Sequence, residues 1–451
     1  MGSREYFGTD GIRGVAGEEP LTAEFAFRLG TALTEVLRED GLRPHLVIGM
    51  DTRRSAQMLA HAVTAGITSR GGDVTFLGVI PTPGVAYLTG QLTATAGLVI
   101  SASHNPYPDN GIKVFGADGR KLSDATEHAL EDFLREPPAL APVTHSEVGA
   151  SSRYRTEDGH YTKFLLANAP YLDGLKVGLD CANGAAFQIA PQVFKQIGAR
   201  LDVINAQPNG TNINEGCGST SPAGMQERVQ QQGLDVGVCF DGDADRVLLV
   251  DSRGRLVTGD HLLAILAVTR GEREVVATVM SNLGLERFLA DNNVVMHRSA
   301  VGDRYVSEEL RSRQLTLGGE QSGHLLMLDR SPTGDGLLTA LQVLAALRGT
   351  GTTLEEWMDR IPVYPQLLQS VPVPNGSKGD VASHPDVIAA VAAAEARLGS
   401  DGRVNLRPSG TEPLVRVMVE GPDDATVTEL VAGIIAEVEK AAAGGVGTAA
   451  A

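Results

Sequence analysis

Short apolar runs bounded by Gly, Asp and Asn recur along the chain, and stretches of helical periodicity separate them. Residues 46–50 (LVIGM) read as a buried strand, 51–55 as a loop and 56–68 as a helix. Residues 98–100 read as a strand that ends in a polar loop. The first arrangement returns at 176–179 (KVGL): strand, Asp180, a loop with Asn183 and Gly184, then a helix through Lys195. Residues 234–240 (LDVGVCF) and 274–280 (EVVATVM) are further strands, the second leading through 281–284 into a helix. This alternation predicts right-handed βαβ crossovers and mainly parallel sheets covered on both faces. The likeness of Ile48-Gly-Met-Asp51 to Val177-Gly-Leu-Asp180 hints at an internal repeat.

At roughly 150 residues per domain, 451 residues suggest about three domains, too many for one core. Pro and small polar residues cluster at 137–152, a turn at 251–255 (DSRGR) could open a new unit, and 362–378 is Pro-rich. Beyond lies a small α+β unit: strands at 403–406 and 414–419, then a helix at 425–442. The tail, 441–451, holds only Ala, Gly, Val and Thr and is expected to fray.

Composition narrows the function. Apolar residues at 42% and charged residues at 21% exclude a largely disordered chain. With 38 Lys and Arg against 55 Asp and Glu, the net charge of −17 disfavours nucleic acid and anionic membrane as partners. An aromatic content of 4% argues against a base-stacking platform. Cys181, Cys217 and Cys239 form no CxxC pair, which argues against a disulfide framework and a cysteine zinc site. Residues 1–14 have no apolar signal region, and apolar runs such as 262–268 fall far short of the roughly 18 residues of a spanning helix. The expected location is the cytoplasm.

Five loops and one strand carry candidate chemistry. Asp241-Gly-Asp243-Ala-Asp245-Arg246 follows an apolar strand. Three carboxylates at alternate positions repel one another unless a cation sits among them, and oxygen-only donors suit Mg²⁺ or Ca²⁺. An EF-hand fails, because its sixth position is Arg246 and its twelfth Ser252. Ser101-Ala-Ser103-His104-Asn105-Pro106 also follows a strand, and a serine there is exposed enough to be a nucleophile or phosphate carrier; alone, it would read as a turn. In Gly111-Ile-Lys113-Val-Phe115, Lys113 faces one side of a strand and Ile112 and Val114 the other. Facing inward, its pKa would fall through desolvation and it could serve as acid or base; a snorkelling edge lysine is the other reading. Glu320 and Ser322, in a loop bracketed by Gly319 and Gly323, could meet a polyol. Arg407, Ser409, Gly410 and Thr411, with Arg416 beyond, gather the donors a phosphate dianion needs. Arg13 lies in a Gly-rich N-terminal loop.

Together these segments resemble the α-D-phosphohexomutases. The motifs are FGTDGIRG (7–14), SASHNP (101–106), GIKVF (111–115), DGDADR (241–246), GGEQSGH (318–324) and RPSGTEP (407–413). They follow the family's order across nearly the whole chain. The opening motif, the first serine of SASHNP, VGDRYV (301–306) and GGEQSGH are similar to the phosphoglucosamine mutase branch; Gly17 departs from it, where Asn is frequent.

The resemblance implies an α/β fold of three related α/β domains with mainly parallel mixed sheets, plus a smaller C-terminal α+β domain. The divisions expected are 1–152, carrying a phosphoserine loop, 153–251 with a metal loop, 252–365 with a sugar loop, and 366–451 for phosphate binding. It implies that Ser103 is the phosphoserine and that Asp241, Asp243 and Asp245 hold one Mg²⁺ together with a phosphoryl oxygen on Ser103. Glu320 and Ser322 would contact sugar hydroxyls. Arg407, Ser409, Gly410, Thr411 and Arg416 would hold the phosphate that is not reacting. Lys113, alone or with His104, is the candidate for proton transfer, Arg246 is placed to add a second cation, and Arg13 is a further candidate catalytic residue. The reaction implied is a 6-phosphate to 1-phosphate shift on glucosamine through glucosamine 1,6-bisphosphate, with that compound or glucose 1,6-bisphosphate as activator. Either a kinase or autophosphorylation would install the phosphate on Ser103. A closing C-terminal domain, hinged at 362–378, would exclude water. The partners expected are an amino-sugar phosphate and, as a candidate, a second copy of the chain. A glucose or mannose phosphate mutase, a Mg²⁺-dependent phosphatase and a non-catalytic sensor are the competing readings.

Overall fold

The computed structural model describes residues 5–8, 10–39, 42–155, 159–409 and 412–443. The chain forms two compact units, Met1–Thr278 with His297–Asp359, and Val279–Met296 with Arg360–Ala451.

The first unit holds three sheets. The first comprises β1 (Ile12–Val15), β2 (His45–Met50), β3 (Asp73–Val79), β4 (Ala96–Ile100), β5 (Asp109–Gly116) and β6 (Ser151–Arg153), in the order β1-β5-β4-β2-β3-β6. The second comprises β7 (Lys176–Asp180), β8 (Arg200–Ile204), β9 (Val236–Phe240), β10 (Val247–Asp251) and β11 (Leu256–Val257), in the order β11-β10-β9-β7-β8. The third comprises β12 (Glu274–Thr278), β13 (Val295–Ser299), β14 (Leu317–Gly319) and β15 (Leu325–Met327), in the order β13-β12-β14-β15.

One plan repeats in all three. A central strand (β4, β9 or β14) lies parallel to an earlier strand of its sheet (β2, β7 or β12). It then enters a loop and returns as its own antiparallel neighbour (β5, β10 or β15). The serine, carboxylate and Glu320 motifs occupy those three loops. The hinted repeat is therefore physical: Asp51 accepts from Arg53 N at 2.8 Å where β2 ends, and Asp180 accepts from Ala182 N at 2.9 Å where β7 ends. The sheets are mixed because each site loop is a tight return rather than a helical crossover.

Helices Ala23–Val36 and Ala56–Ser69 cover one face of the first sheet, the former capped by Thr22, whose hydroxyl accepts from Phe25 N at 3.1 Å. They touch through glycines: a Cβ on Gly66 would lie 2.1 Å from Phe27 O. Leu29, Leu33, Leu46, Ile48, Leu59, Val63, Leu98 and Ile100 are buried beneath them. No helix among the described residues is long and apolar enough to cross a membrane.

Two segments depart from the sequence reading. Arg13, read as part of a Gly-rich loop at 7–14, lies on edge strand β1, with Ile12 opposite Ile112 and Arg13 opposite Gly111. Close pairing explains the glycine beside it: at φ +81, a Cβ on Gly11 would lie 2.5 Å from Ile112 O. In the second unit, the Pro-rich stretch read as a hinge contains β16 (Gln366–Pro372). It pairs antiparallel with β18 (Leu414–Glu420), whose other neighbour is β17 (Arg403–Pro408). Proline is tolerated because β16 is an edge strand. Helices Pro385–Leu398 and Asp424–Ala443 close the core over Val371, Val415, Val417, Val431 and Ile434. Helix Leu283–Asp291 belongs here too: Asn282 caps it, and Arg403 donates to Val279 O at 2.8 Å and Ser281 O at 2.6 Å.

Candidate active site

In the first unit, the loop after β4 meets the loop after β9. Ser103, read from the sequence as exposed on its loop, is buried under the carboxylate loop; it adopts a left-handed φ of +52 and donates from Oγ to Asp241 Oδ2 at 2.6 Å. Carboxylate oxygens of Asp241, Asp243 and Asp245 lie within 4.8 Å of one another, and all three residues are buried. Burial, then the charges of Asp245 and Asp243, push the Asp241 carboxyl up. Asp243 Oδ1 and Asp245 Oδ1 are buried without a hydrogen-bond partner. Three converging carboxylates with spare lone pairs fit a hard divalent cation, and Mg²⁺ is the ion this oxygen-only donor set suits.

Two helix starts and the turn after β7 brace the carboxylate loop. Thr82 Oγ1 donates to Asp243 Oδ2 at 2.6 Å, Ala185 N to Gly242 O at 2.8 Å, and Gly336 N to Ala244 O at 3.0 Å. Gly184 and Gly242 touch: a Cβ on Gly184 would lie 2.3 Å from Gly242 O. Gly184→Ala therefore displaces the carboxylate-bearing loop. The expected result is a loss of about 1–3 kcal/mol of stability together with weaker divalent-cation binding, read by thermal unfolding and calorimetry.

Lys113 faces inward, the first of its two readings, but its pKa moves opposite to the direction desolvation alone predicts. Nζ lies 3.0 Å from Asp243 Oδ2, 3.2 Å from Asp245 Oδ2 and 3.4 Å from Asp10 Oδ2. Desolvation lowers its pKa, but the three carboxylates outweigh burial and raise it well above its ordinary value. Lys113 is a fixed ammonium.

His104 shows the opposite balance. Burial, then the charges of Arg246 and Arg13, lower its pKa to about 4, so the imidazole is neutral near pH 7. Its Nδ1 lies 3.3 Å from Ser103 Oγ. Arg246 Nε is buried without a hydrogen-bond partner, 3.9 Å from Asp245 Oδ1, and its backbone N donates to Asp241 Oδ1 at 3.2 Å. Arg13, on β1, pairs with Asp10 and donates to Ala102 O at 2.8 Å, beside Ser103.

In the loop after β14, Glu320 Oε1 accepts from Gly302 N at 3.0 Å, and Ser322 Oγ is buried with no partner. Sequence reasoning passed over His324 in the same motif. Its Nδ1 is 3.6 Å from Asp245 Oδ1 and its Nε2 3.9 Å from Asp303 Oδ2. Burial lowers its pKa, but Asp245, Asp303 and Glu320 raise it to about 9. Also passed over were Lys121, which spans Asp10 (3.3 Å) and Asp303 (2.8 Å), and the pair Asp51–Arg53 beneath the serine loop. An adjacent acid and base in a polar loop was the signal available for that pair.

In the second unit, Arg407 and Arg416 are cross-strand partners on β17 and β18. Like charges facing across a ladder are unfavourable without an anion. Burial, then Arg416, lower the Arg407 pKa. Arg416 Nη2 donates to Glu412 Oε2 at 2.9 Å, while its Nε is buried and unpaired. Ser409 Oγ accepts from Glu412 N at 3.3 Å, and Lys378 Nζ donates to Ser409 O at 2.6 Å. Gly410 and Thr411 lie outside the described residues.

Comparison with known proteins matches four family descriptions in chain order. Phosphoglucomutase/phosphomannomutase alpha/beta/alpha domain I covers residues 4–139, domain II 160–254, domain III 258–364 and the C-terminal domain 368–437. Among curated relatives, the phosphoglucosamine mutase of Deinococcus deserti is 54% identical over 98% of this chain and 99% of its own. That of Thermus thermophilus is 50% identical over 94% of this chain and 95% of its own. Among solved structures, a Burkholderia thailandensis phosphoglucomutase/phosphomannomutase family protein superposes with a TM-score of 0.80 at 23% identity, covering 98% of each chain. Aspergillus fumigatus N-acetylphosphoglucosamine mutase in complex with GlcNAc-6P and magnesium gives 0.68 at 17% identity, covering 98% of this chain and 96% of that one. The two structures share the fold with this chain.

Proposed function

We infer the reaction from one premise: the chain belongs to the phosphoglucosamine mutases, within the phosphoglucomutase/phosphomannomutase family. It is an isomerase, an intramolecular phosphotransferase that interconverts α-D-glucosamine 6-phosphate and α-D-glucosamine 1-phosphate. The observation that carries the chemistry is the Ser103 hydroxyl, buried and bonded at 2.6 Å to one member of a three-carboxylate cluster.

In this reading Ser103 carries a phosphoryl group. The O1 hydroxyl of the bound 6-phosphate attacks that phosphorus, the P–Oγ bond breaks, and glucosamine 1,6-bisphosphate forms. After the intermediate turns over, Ser103 Oγ attacks the phosphorus on O6 and leaves the 1-phosphate. Each half-reaction removes one proton from an attacking hydroxyl and returns one to the leaving oxygen. His104, kept neutral by burial and two arginines, is the proton acceptor closest in character to that task. Lys113, held as an ammonium, contributes fixed positive charge. Arg246, with its buried Nε unpaired, and Arg13, fixed to the serine loop, add to it. Such transfer depends on positioning and charge stabilisation. Asp241, Asp243 and Asp245 would hold Mg²⁺, which supplies Lewis-acid stabilisation of phosphoryl charge.

Glu320 and the unpartnered Ser322 hydroxyl contact the sugar in this reading, and Arg407, Ser409 and Arg416 hold a phosphate dianion. The four parts 1–152, 153–251, 252–365 and 366–451 divide the labour: phosphoryl carrier, metal loop, sugar loop and phosphate binding.

Phosphorus NMR of the phosphoprotein with Mg²⁺ and, separately, glucosamine, glucose and mannose 6-phosphates tests the reading. Glucosamine 1-phosphate should form fastest, with no accumulating inorganic phosphate. Stoichiometric release of inorganic phosphate would replace the mutase with a phosphatase. A clear preference for another sugar would overturn the substrate assignment.

A further inference from the structure

The backbone of the serine loop is gripped from two directions, and we propose that Arg53 and Asn214 are positioning residues that fix Ser103 for phosphoryl transfer. The proposal rests on the reading of Ser103 as the phosphoryl carrier.

A non-glycine residue in the left-handed region is held at a cost of about 1–2 kcal/mol, so the φ of +52 at Ser103 needs support from its surroundings. The support is complete on both sides. Ser103 N donates to Ser101 Oγ at 2.9 Å. Ser103 O accepts from Arg53 Nη2 at 3.0 Å and from Asn214 Nδ2 at 2.9 Å. The same two donors reach Asn105 O, at 2.7 and 3.0 Å, and Arg53 Nη1 reaches Pro106 O at 2.5 Å. With both flanking peptides held, the side-chain torsion is the freedom left to Oγ.

Each grip is itself fixed. The Arg53 side chain is fully buried and pairs with Asp51 Oδ2 at 2.9 Å. Asp51 Oδ2 also accepts from Ser101 Oγ at 2.7 Å, so one carboxylate orients both the guanidinium and the acceptor for Ser103 N. Asn214 comes from the stretch between β8 and β9. Its φ is +59 and its backbone N donates to Ala182 O at 3.0 Å. Its Oδ1 is buried with no partner. The amide is therefore oriented by the two carbonyls it serves, since reversal would set oxygen against oxygen. Gly242, between Asp241 and Asp243, completes the enclosure: a Cβ there would lie 2.5 Å from Ser103 O. The segment that bears the carboxylates and the residue that carries the phosphoryl group thus share one rigid backbone lock. A carrier that transfers to one hydroxyl and recovers from another needs an unchanging origin, and misplacement by about 1 Å can cost 10²-fold in rate.

The test compares Asn214→Gly with Asn214→Asp in the full-length phosphoenzyme with Mg²⁺. Glycine accepts the left-handed backbone and removes the donor together with the rest of the side chain. Aspartate keeps the shape but faces two carbonyl oxygens with a carboxylate. Asn214→Gly should lower kcat about tenfold and Asn214→Asp about a hundredfold, with KM unchanged within about twofold. A role in filling space predicts the reverse order, because aspartate is the better fit. Arg53→Lys should lower kcat too, but the Asn214 pair decides the matter if that variant does not fold. The unsubstituted enzyme is assayed first on glucosamine 6-phosphate; its inactivity would defeat the functional reading and this proposal with it. An active parent with both Asn214 variants within about twofold of its kcat, Asn214→Asp the more active, or the loss carried by KM, would overturn this proposal alone.

Discussion

Ser103→Ala is expected to abolish turnover, by about 10⁴-fold or more, because removal of a covalent carrier leaves only binding and charge stabilisation. Added bisphosphate should not restore it. The loop offers two serines, and the structure separates them. Ser101 Oγ donates to Asp51 Oδ2 and accepts from Ser103 N, so it is committed to the loop's framework. Ser103 Oγ faces Asp241, with the neutral His104 ring beside it. Phosphopeptide mapping should find the phosphate on Ser103 and none on Ser101. The fold should survive, because alanine adopts the φ of +52 no less readily than serine, and losing the bond to Asp241 costs about 1–3 kcal/mol. Near-parental turnover in a folded Ser103→Ala variant would remove Ser103 as carrier.

The sequence made the proposed serine carrier and metal ligands legible because they sit in loops where apolar strands end. Ser103 follows β4 and the three aspartates follow β9, so strand periodicity alone placed them at one end of their sheets. What it could not supply were properties created by partners distant in the chain. Desolvation alone would lower the pKa of an inward-facing Lys113; Asp10, Asp243 and Asp245, from two other segments, decide the opposite. Arg53 looked like a loop residue because its acceptors are backbone carbonyls about 50 residues on, and carbonyls leave no mark in a sequence. β1 and β16 are rich in Gly or end in Pro, and their strand character comes from the ladder each joins at a sheet edge. Helix Leu283–Asp291 was readable as a helix, but its company was not: its N-terminal segment is tied to Arg403, more than a hundred residues later.

Lys113→Met should separate charge balance from catalysis. The raised pKa means that the ammonium's stabilisation is fully present below its unfolded-state value and is lost only as pH rises through the folded-state value. All of it therefore operates at neutral pH. Methionine fills similar volume without charge and leaves Asp10, Asp243 and Asp245 facing one another, so the variant should be less stable by about 3–5 kcal/mol in metal-free buffer. A divalent cation replaces the missing charge. Saturating Mg²⁺ should thus raise the Tm of Lys113→Met by more than it raises the parent's, since a ligand stabilises by its affinity for the folded state and the more negative cluster binds a cation more tightly. On the proposed role of Lys113 as fixed positive charge for phosphoryl transfer, turnover should remain at least about 10²-fold down at that same Mg²⁺ concentration. The two readouts point to different errors. Equal Mg²⁺ stabilisation in parent and variant would mean that Lys113 does not neutralise the carboxylates. Restored turnover would mean that its only work is to neutralise them, and that the charge that matters in phosphoryl transfer comes from elsewhere, with Arg246 the next residue to substitute.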